Sequence, residues 1–125
     1  MPTLFLYAPR SWCFALGFCV LALCVHSATA MSIRELRALE KSDAKQGGHY
    51  KRYYLVGAME ATLAAHDTGV RSGAAPSICL NGRRLAPVMA EGLYQTELKH
   101  NSALYEADMP VSLVMGNALT TVYPC

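Results

Sequence analysis

The placement of five cysteines constrains this chain more than any other feature. Cys13, Cys19 and Cys24 crowd into the N-terminal stretch, whereas Cys79 and Cys125 stand alone in the remainder. The first three lie in a segment with the marks of an export leader. Arg10 supplies one positive charge ahead of an apolar run from Cys13 to Val25. That run is shorter than the roughly 20 residues a bilayer-spanning helix needs, so no stable membrane span is expected. It ends in Ser27-Ala28-Thr29-Ala30, with small residues at the two positions a signal peptidase reads. The expected cleavage falls between Ala30 and Met31. Leu21-Ala22-Leu23-Cys24 has the outline of a lipid-attachment site, but Leu23 is too large for the position before the cysteine. Export removes three cysteines and leaves two in an oxidising compartment, where pairing is the default. A Cys79–Cys125 bond would close a loop of about 46 residues, worth about 4 kcal/mol on the chain-entropy account. The other reading is an intermolecular bridge through Cys125.

Without the leader, residues 31–125 carry ten Lys and Arg against nine Asp and Glu, a net charge of +1. So small an imbalance gives no electrostatic case for nucleic acid or an anionic membrane surface. The length suits one domain with a modest core.

Helical spacing dominates this domain. Ser32-Ile33-Arg34-Glu35 reads as a capping box opening a helix over about 33–45, which Gly47-Gly48 would end. A second helix is expected from His49 to His66, with Tyr50, Tyr54, Gly57, Ala61 and Ala64 on one stripe. It is the least charged stretch and so the expected central helix. Gly57 in mid-helix costs about 1 kcal/mol relative to alanine, and close approach of another helix there would compensate. Residues 67–78 read as a long loop. Asn81-Gly82 marks a turn. A third helix over about 85–99 would bury Leu85, Val88, Met89, Gly92, Leu93 and Leu98. After a loop at 100–106, Asp108 reads as an N-cap with Pro110 in the first turn. A fourth helix over 111–122 would then bury Val111, Val114, Met115, Ala118, Leu119 and Val122. No segment alternates as a strand does. The expected fold is all-α: an irregular bundle of about four helices stapled by one disulfide.

The chain offers little reactive chemistry. His49, His66 and His100 lie in no metal-ligand spacing, so no metal site and no cofactor is expected, and all three read as exposed residues near helix ends. Cys79 with a histidine could form a nucleophile pair, making the chain a small hydrolase, but a disulfide explains that cysteine better. Glu35, Glu40, Glu60, Glu91 and Glu97 are dispersed and read as a solvated face. Lys51-Arg52 and Arg83-Arg84 are basic doublets rather than a stripe. Arg83-Arg84 sits beside the cysteine loop, where it could meet an acidic partner.

Several features together resemble a known family. They are Tyr54-Leu55-Val56-Gly57-Ala58 in the central helix, Ile78-Cys79-Leu80 before the third, and Ala118-Leu119-Thr120-Thr121-Val122-Tyr123-Pro124-Cys125 at the end. Their order and spacing are similar to those of the Rap/Tai immunity proteins of type VI secretion systems, over about residues 50–125. The chain departs from the family in the long glycine-rich stretch before Cys79. It departs again at Pro87 and in Asn101-Ser102-Ala103-Leu104-Tyr105 before the last helix. The resemblance implies a periplasmic, non-enzymatic homodimer that occludes the active-site cleft of a secreted peptidoglycan amidase. Tyr54, Gly57 and Leu119 would pack helices. The partner-binding regions would be loop 67–77, with Val70, Arg71 and Ser72; Arg83 and Arg84; and loop 100–108, with His100, Asn101 and Tyr105. A small periplasmic acid-stress chaperone is the alternative reading. Its expected mark, carboxylates clustered at a dimer interface, is not suggested by these dispersed charges.

Overall fold

A computed structural model describes residues 30–125. Residues 1–29, where a leader is expected, lie outside the described residues.

Helix α1 spans Ile33–Ser42, α2 Gly47–Arg71, α3 Met89–His100 and α4 Val111–Val122, with a single 3₁₀ turn at Ser102–Leu104. The only strand-like pairings among the described residues are two isolated bridges, Ser32 with Pro110 and Ile78 with Pro124. The fold is therefore an all-α bundle closed by a Cys79–Cys125 disulfide.

The start of α1 follows from its sequence. The Ser32 hydroxyl accepts from the Glu35 backbone N–H, and the Glu35 carboxylate accepts from the Ser32 N–H at 2.7 Å. The Ser32 N–H, and after it the Ser32 hydroxyl donating at 2.9 Å, hold the Glu35 carboxyl below its ordinary pKa. The helix stops at Ser42, short of the expected 45. The Asp43 carboxylate accepts from the backbone N–H groups of Lys45 and Gln46 and turns the chain directly into α2.

Gly47 therefore opens a helix rather than ending one. A Cβ at this position would meet the Glu40 backbone, 2.7 Å from its carbonyl carbon and nearer still to its oxygen. Only glycine lets the two chains cross so closely. At the other end, α2 continues past His66 to Arg71, so the expected loop 67–78 shrinks to residues 72–77.

The buried stripe of α2 is also not the one expected. Lys51, Leu55 and Met59 face the core, whereas Tyr50, Gly57, Ala61 and Ala64 are exposed. No described atom outside the local helix approaches a Cβ placed on Gly57, so close helix packing does not account for that glycine. The apolar stripe was misleading because a lysine occupies a core position. Lys51 is 7% exposed. Its ammonium donates to Glu40 of α1 at 2.6 Å and pairs with Glu91 of α3 at 2.8 Å. Burial alone would lower the Lys51 pKa, but hydrogen bonds and charge attraction from the two carboxylates raise it. The hydrogen bond from Lys51 likewise holds the Glu91 carboxyl below its usual range. Glu40 and Glu91 thus converge on one cation rather than forming part of a uniformly solvated face.

Helix α4 buries Val111, Val114, Met115, Ala118 and Leu119 on the expected stripe, but Val122 is half exposed. Its N-cap is Pro110, not Asp108. Asp108 instead pairs with Arg34 at 3.1 Å. The start of α4 is held by α1: Val111 N–H donates to Met31 C=O at 2.9 Å and Ile33 N–H to Met109 C=O at 3.0 Å. Helix α3 begins at Met89, which leaves Leu85 and Val88 in the preceding loop; Val88 is 77% exposed and Gly92 faces solvent. The buried face of α3 is Ala90, Leu93, Tyr94 and Glu97. Burial raises the Tyr94 hydroxyl pKa. Ile33 and Leu36 of α1 with Leu55 and Met59 of α2 complete the core.

Candidate functional site

At the disulfide end of the bundle the chain is tied by covalent and backbone bonds. Cys79 is bonded to Cys125, and its N–H donates to Tyr123 C=O at 2.8 Å. Tyr123 is buried, and the Arg83 guanidinium lies 5.8 Å from the centre of its ring, within cation–π range. Between them the chain turns at Asn81 and Gly82, both with positive φ (51° and 78°). The sequence reading of a turn at Asn81-Gly82 matches this left-handed pair. Arg83 N–H donates back to Leu80 C=O, closing the turn. The result is a pinned loop that presents Arg84 and Val88 to solvent. Arg84 makes no ion pair among the described residues. With Cys79 in the disulfide, its thiol is not available as a nucleophile in this state.

The remaining candidates do not gather here. His100, Asn101 and Tyr105 lie at the far end of α3, about 18 Å from its start by helical rise. Two of them serve internal contacts. Glu97 is buried, and its carboxylate accepts from Tyr105 Oη at 2.6 Å and Asn101 Nδ2 at 3.0 Å. Tyr105 Oη in turn accepts from Asn117 Nδ2 at 2.9 Å, joining α3, the connecting loop and α4. Burial and the bond to Glu97 raise the Tyr105 hydroxyl pKa. Glu97 is therefore a buried anchor rather than a surface carboxylate. Periodicity could not distinguish the two, because it gives no sign of a tyrosine eight residues ahead.

Val70 and Arg71 belong to the last turn of α2, not to a loop, and Ser72 caps it, its N–H donating to Thr68 and Gly69 carbonyls. Arg71 donates to Thr68 Oγ1 at 3.1 Å. His66, read from sequence as exposed, has a side chain only 14% exposed, and its Nε2 accepts from two backbone N–H groups.

A second surface runs along the outer side of α2. Tyr53, 75% exposed, with Tyr54, Gly57, Ala61 and Ala65 lines an open apolar groove of about 740 Å³ that Ala30 and Ser112 border. Tyr54 is half buried at its base, and Leu119 lies wholly inside the core. Among the described residues, no group of three or more His, Cys, Asp or Glu side chains could hold a metal ion. No described helix is long and apolar enough to cross a membrane.

No family model, curated protein or solved structure matches this chain.

Proposed function

We propose that this chain is a periplasmic immunity protein that binds a secreted peptidoglycan amidase and blocks its active-site cleft. The observation that carries this reading is the pinned loop 79–88. A disulfide, a backbone bond to Tyr123 and a left-handed turn fix the backbone of residues 79–83, from which Arg84 and Val88 project outward. A cleft inhibitor needs such a pre-organised protrusion and no reactive group of its own. The Cys79…Tyr123-Pro124-Cys125 frame, through which the chain resembles the Rap/Tai proteins, is the element that builds the protrusion. The leader would direct the chain to the periplasm, where the disulfide can form.

The protein acts in this reading as a homodimer joined through the outer face of α2. That face carries both a protruding ring, Tyr53, and a run of small side chains at Gly57, Ala61 and Ala65. Two copies laid antiparallel would place each Tyr53 over the other's small residues, as a two-fold interface requires.

Tagged residues 31–125 produced in the periplasm are expected to co-purify with a small secreted cysteine amidase encoded beside this chain. Light scattering on the purified domain should give twice the monomer mass. Failure to retain the amidase at micromolar concentration would sink the inhibitor reading; a monomer mass would sink the dimer.

A further inference from the structure

The fold contains a side-chain contact to a loop that neither the disulfide nor the pinned loop requires. His66 Nε2 lies 3.1 Å from the backbone nitrogen of Ser77 and 3.1 Å from that of Ile78. Both are donors, so Nε2 must present its lone pair and the neutral ring must carry its proton on Nδ1. Nδ1 faces the Asp67 carboxylate at 3.6 Å. These two bonds anchor the second half of loop 72–77. The first half is held separately, by Ser72, Gly73 and Ala74 N–H groups donating to carbonyls of the last turn of α2. From Ile78 onward, its bridge to Pro124, the bond from Cys79 to Tyr123 and the disulfide take over. Between Ala74 and the Ile78–Pro124 bridge, the imidazole is the group seen to tie residues 75–77 to α2.

We propose that His66 is a proton-operated latch: neutral, it holds residues 75–77 against the end of α2; protonated, it releases them. A proton on Nε2 turns the acceptor into a donor facing two donors and adds a positive charge beside their N–H dipoles. Both bonds are then lost. Imidazole is the side chain whose unperturbed charge change falls between about pH 5 and 8.

The charges around His66 are few. Loop 72–78 has no ionisable side chain, and neither does α4, which packs along α2. The charged groups that α1 and α3 are seen to bring to α2, Glu40 and Glu91, meet it at Lys51, about 22 Å back along the axis. Asp67 and Arg71 belong to α2 itself, with Arg71 bonded to Thr68. Asp67 is the carboxylate seen facing the ring.

Amide hydrogen exchange of the disulfide-bonded domain, followed by NMR and corrected for intrinsic rates, tests the latch. Between pH 8 and 5 the protection of Ser77 and Ile78 should fall by about tenfold or more. Cys79, whose N–H donates to Tyr123, should hold steady. In His66→Gln a side-chain oxygen can accept in place of Nε2 without titrating, so the pH dependence should vanish. A flat wild-type profile, or an unchanged slope in His66→Gln, overturns the proposal. Nitrogen-15 shifts of the wild-type imidazole at pH 8 give a readout that needs no variant. An unprotonated Nε2 supports the latch, and a protonated one overturns it. None of these measurements involves the amidase, so the latch and the inhibitor reading fail separately.

Discussion

Removing the disulfide as Cys79→Ala/Cys125→Ala should cost about 4 kcal/mol, the chain-entropy value for a loop of about 46 residues. For a domain of this size that corresponds to a fall in Tm of about 15–30 °C. Much of the loss arises in the unfolded state, because the native segment keeps other attachments. The Cys79 N–H still reaches Tyr123 C=O, Ile78 still pairs with Pro124, and Tyr123 stays buried. The circular dichroism spectrum at low temperature should therefore match the wild type while the melt moves. Thermal denaturation of both proteins under non-reducing conditions checks this. A shift of less than about 5 °C would mean that the bond is peripheral and that α3 and α4 hold themselves.

The second large effect is Gly47→Ala, expected to destabilise by about 3 kcal/mol or more. The added methyl would press into the Glu40 backbone, and backbone cannot rotate away as a side chain can. Relief requires α1 and α2 to separate at their crossing, close to the Lys51 pairs with Glu40 and Glu91. The same change at Gly57 should act in the opposite direction, stabilising the monomer by about 0.5–1 kcal/mol. There the new methyl meets nothing and the helix gains alanine's propensity. Urea denaturation of the two variants beside the wild type checks both signs. If Gly47→Ala proves as mild as Gly57→Ala, the close crossing of α1 and α2 is wrong.

These two glycines show where sequence reasoning stops. Both are glycines inside helical patterns, and local rules place a terminator at Gly47 and a tight helix contact at Gly57. The structure reverses the assignment, because the deciding neighbour of Gly47 is the Glu40 backbone across a turn. What was legible is what local chemistry determines. The Ser32–Glu35 capping box, the Asn81-Gly82 turn, five of the six expected buried positions of α4 and the cysteine pairing all follow from near neighbours or simple counting. What was not legible depends on contacts remote in sequence. Lys51 occupies a core position only because Glu40 and Glu91 neutralise it, so the apolar stripe of α2 does not mark its buried face. His66 appeared to be a surface residue until loop 72–77 folded back onto it. The candidate binding residues were legible as polar positions beside helix ends. Which of them face outward was not: Asn101 and Tyr105 bond inward to Glu97, whereas Arg84 remains exposed.

In the proposed function, a pinned protrusion beside the disulfide inhibits an amidase without chemistry of its own. The most direct measurement is amidase activity on purified peptidoglycan, titrated with residues 31–125 and with the Arg84→Glu variant. Arg84 bonds to no described side chain, so its replacement should leave the melting temperature within about 2 °C of the wild type. The wild-type domain should abolish cleavage at about one protomer per amidase. Arg84→Glu should need about tenfold more. Full amidase activity in the presence of a tenfold excess of folded wild-type domain would contradict the account.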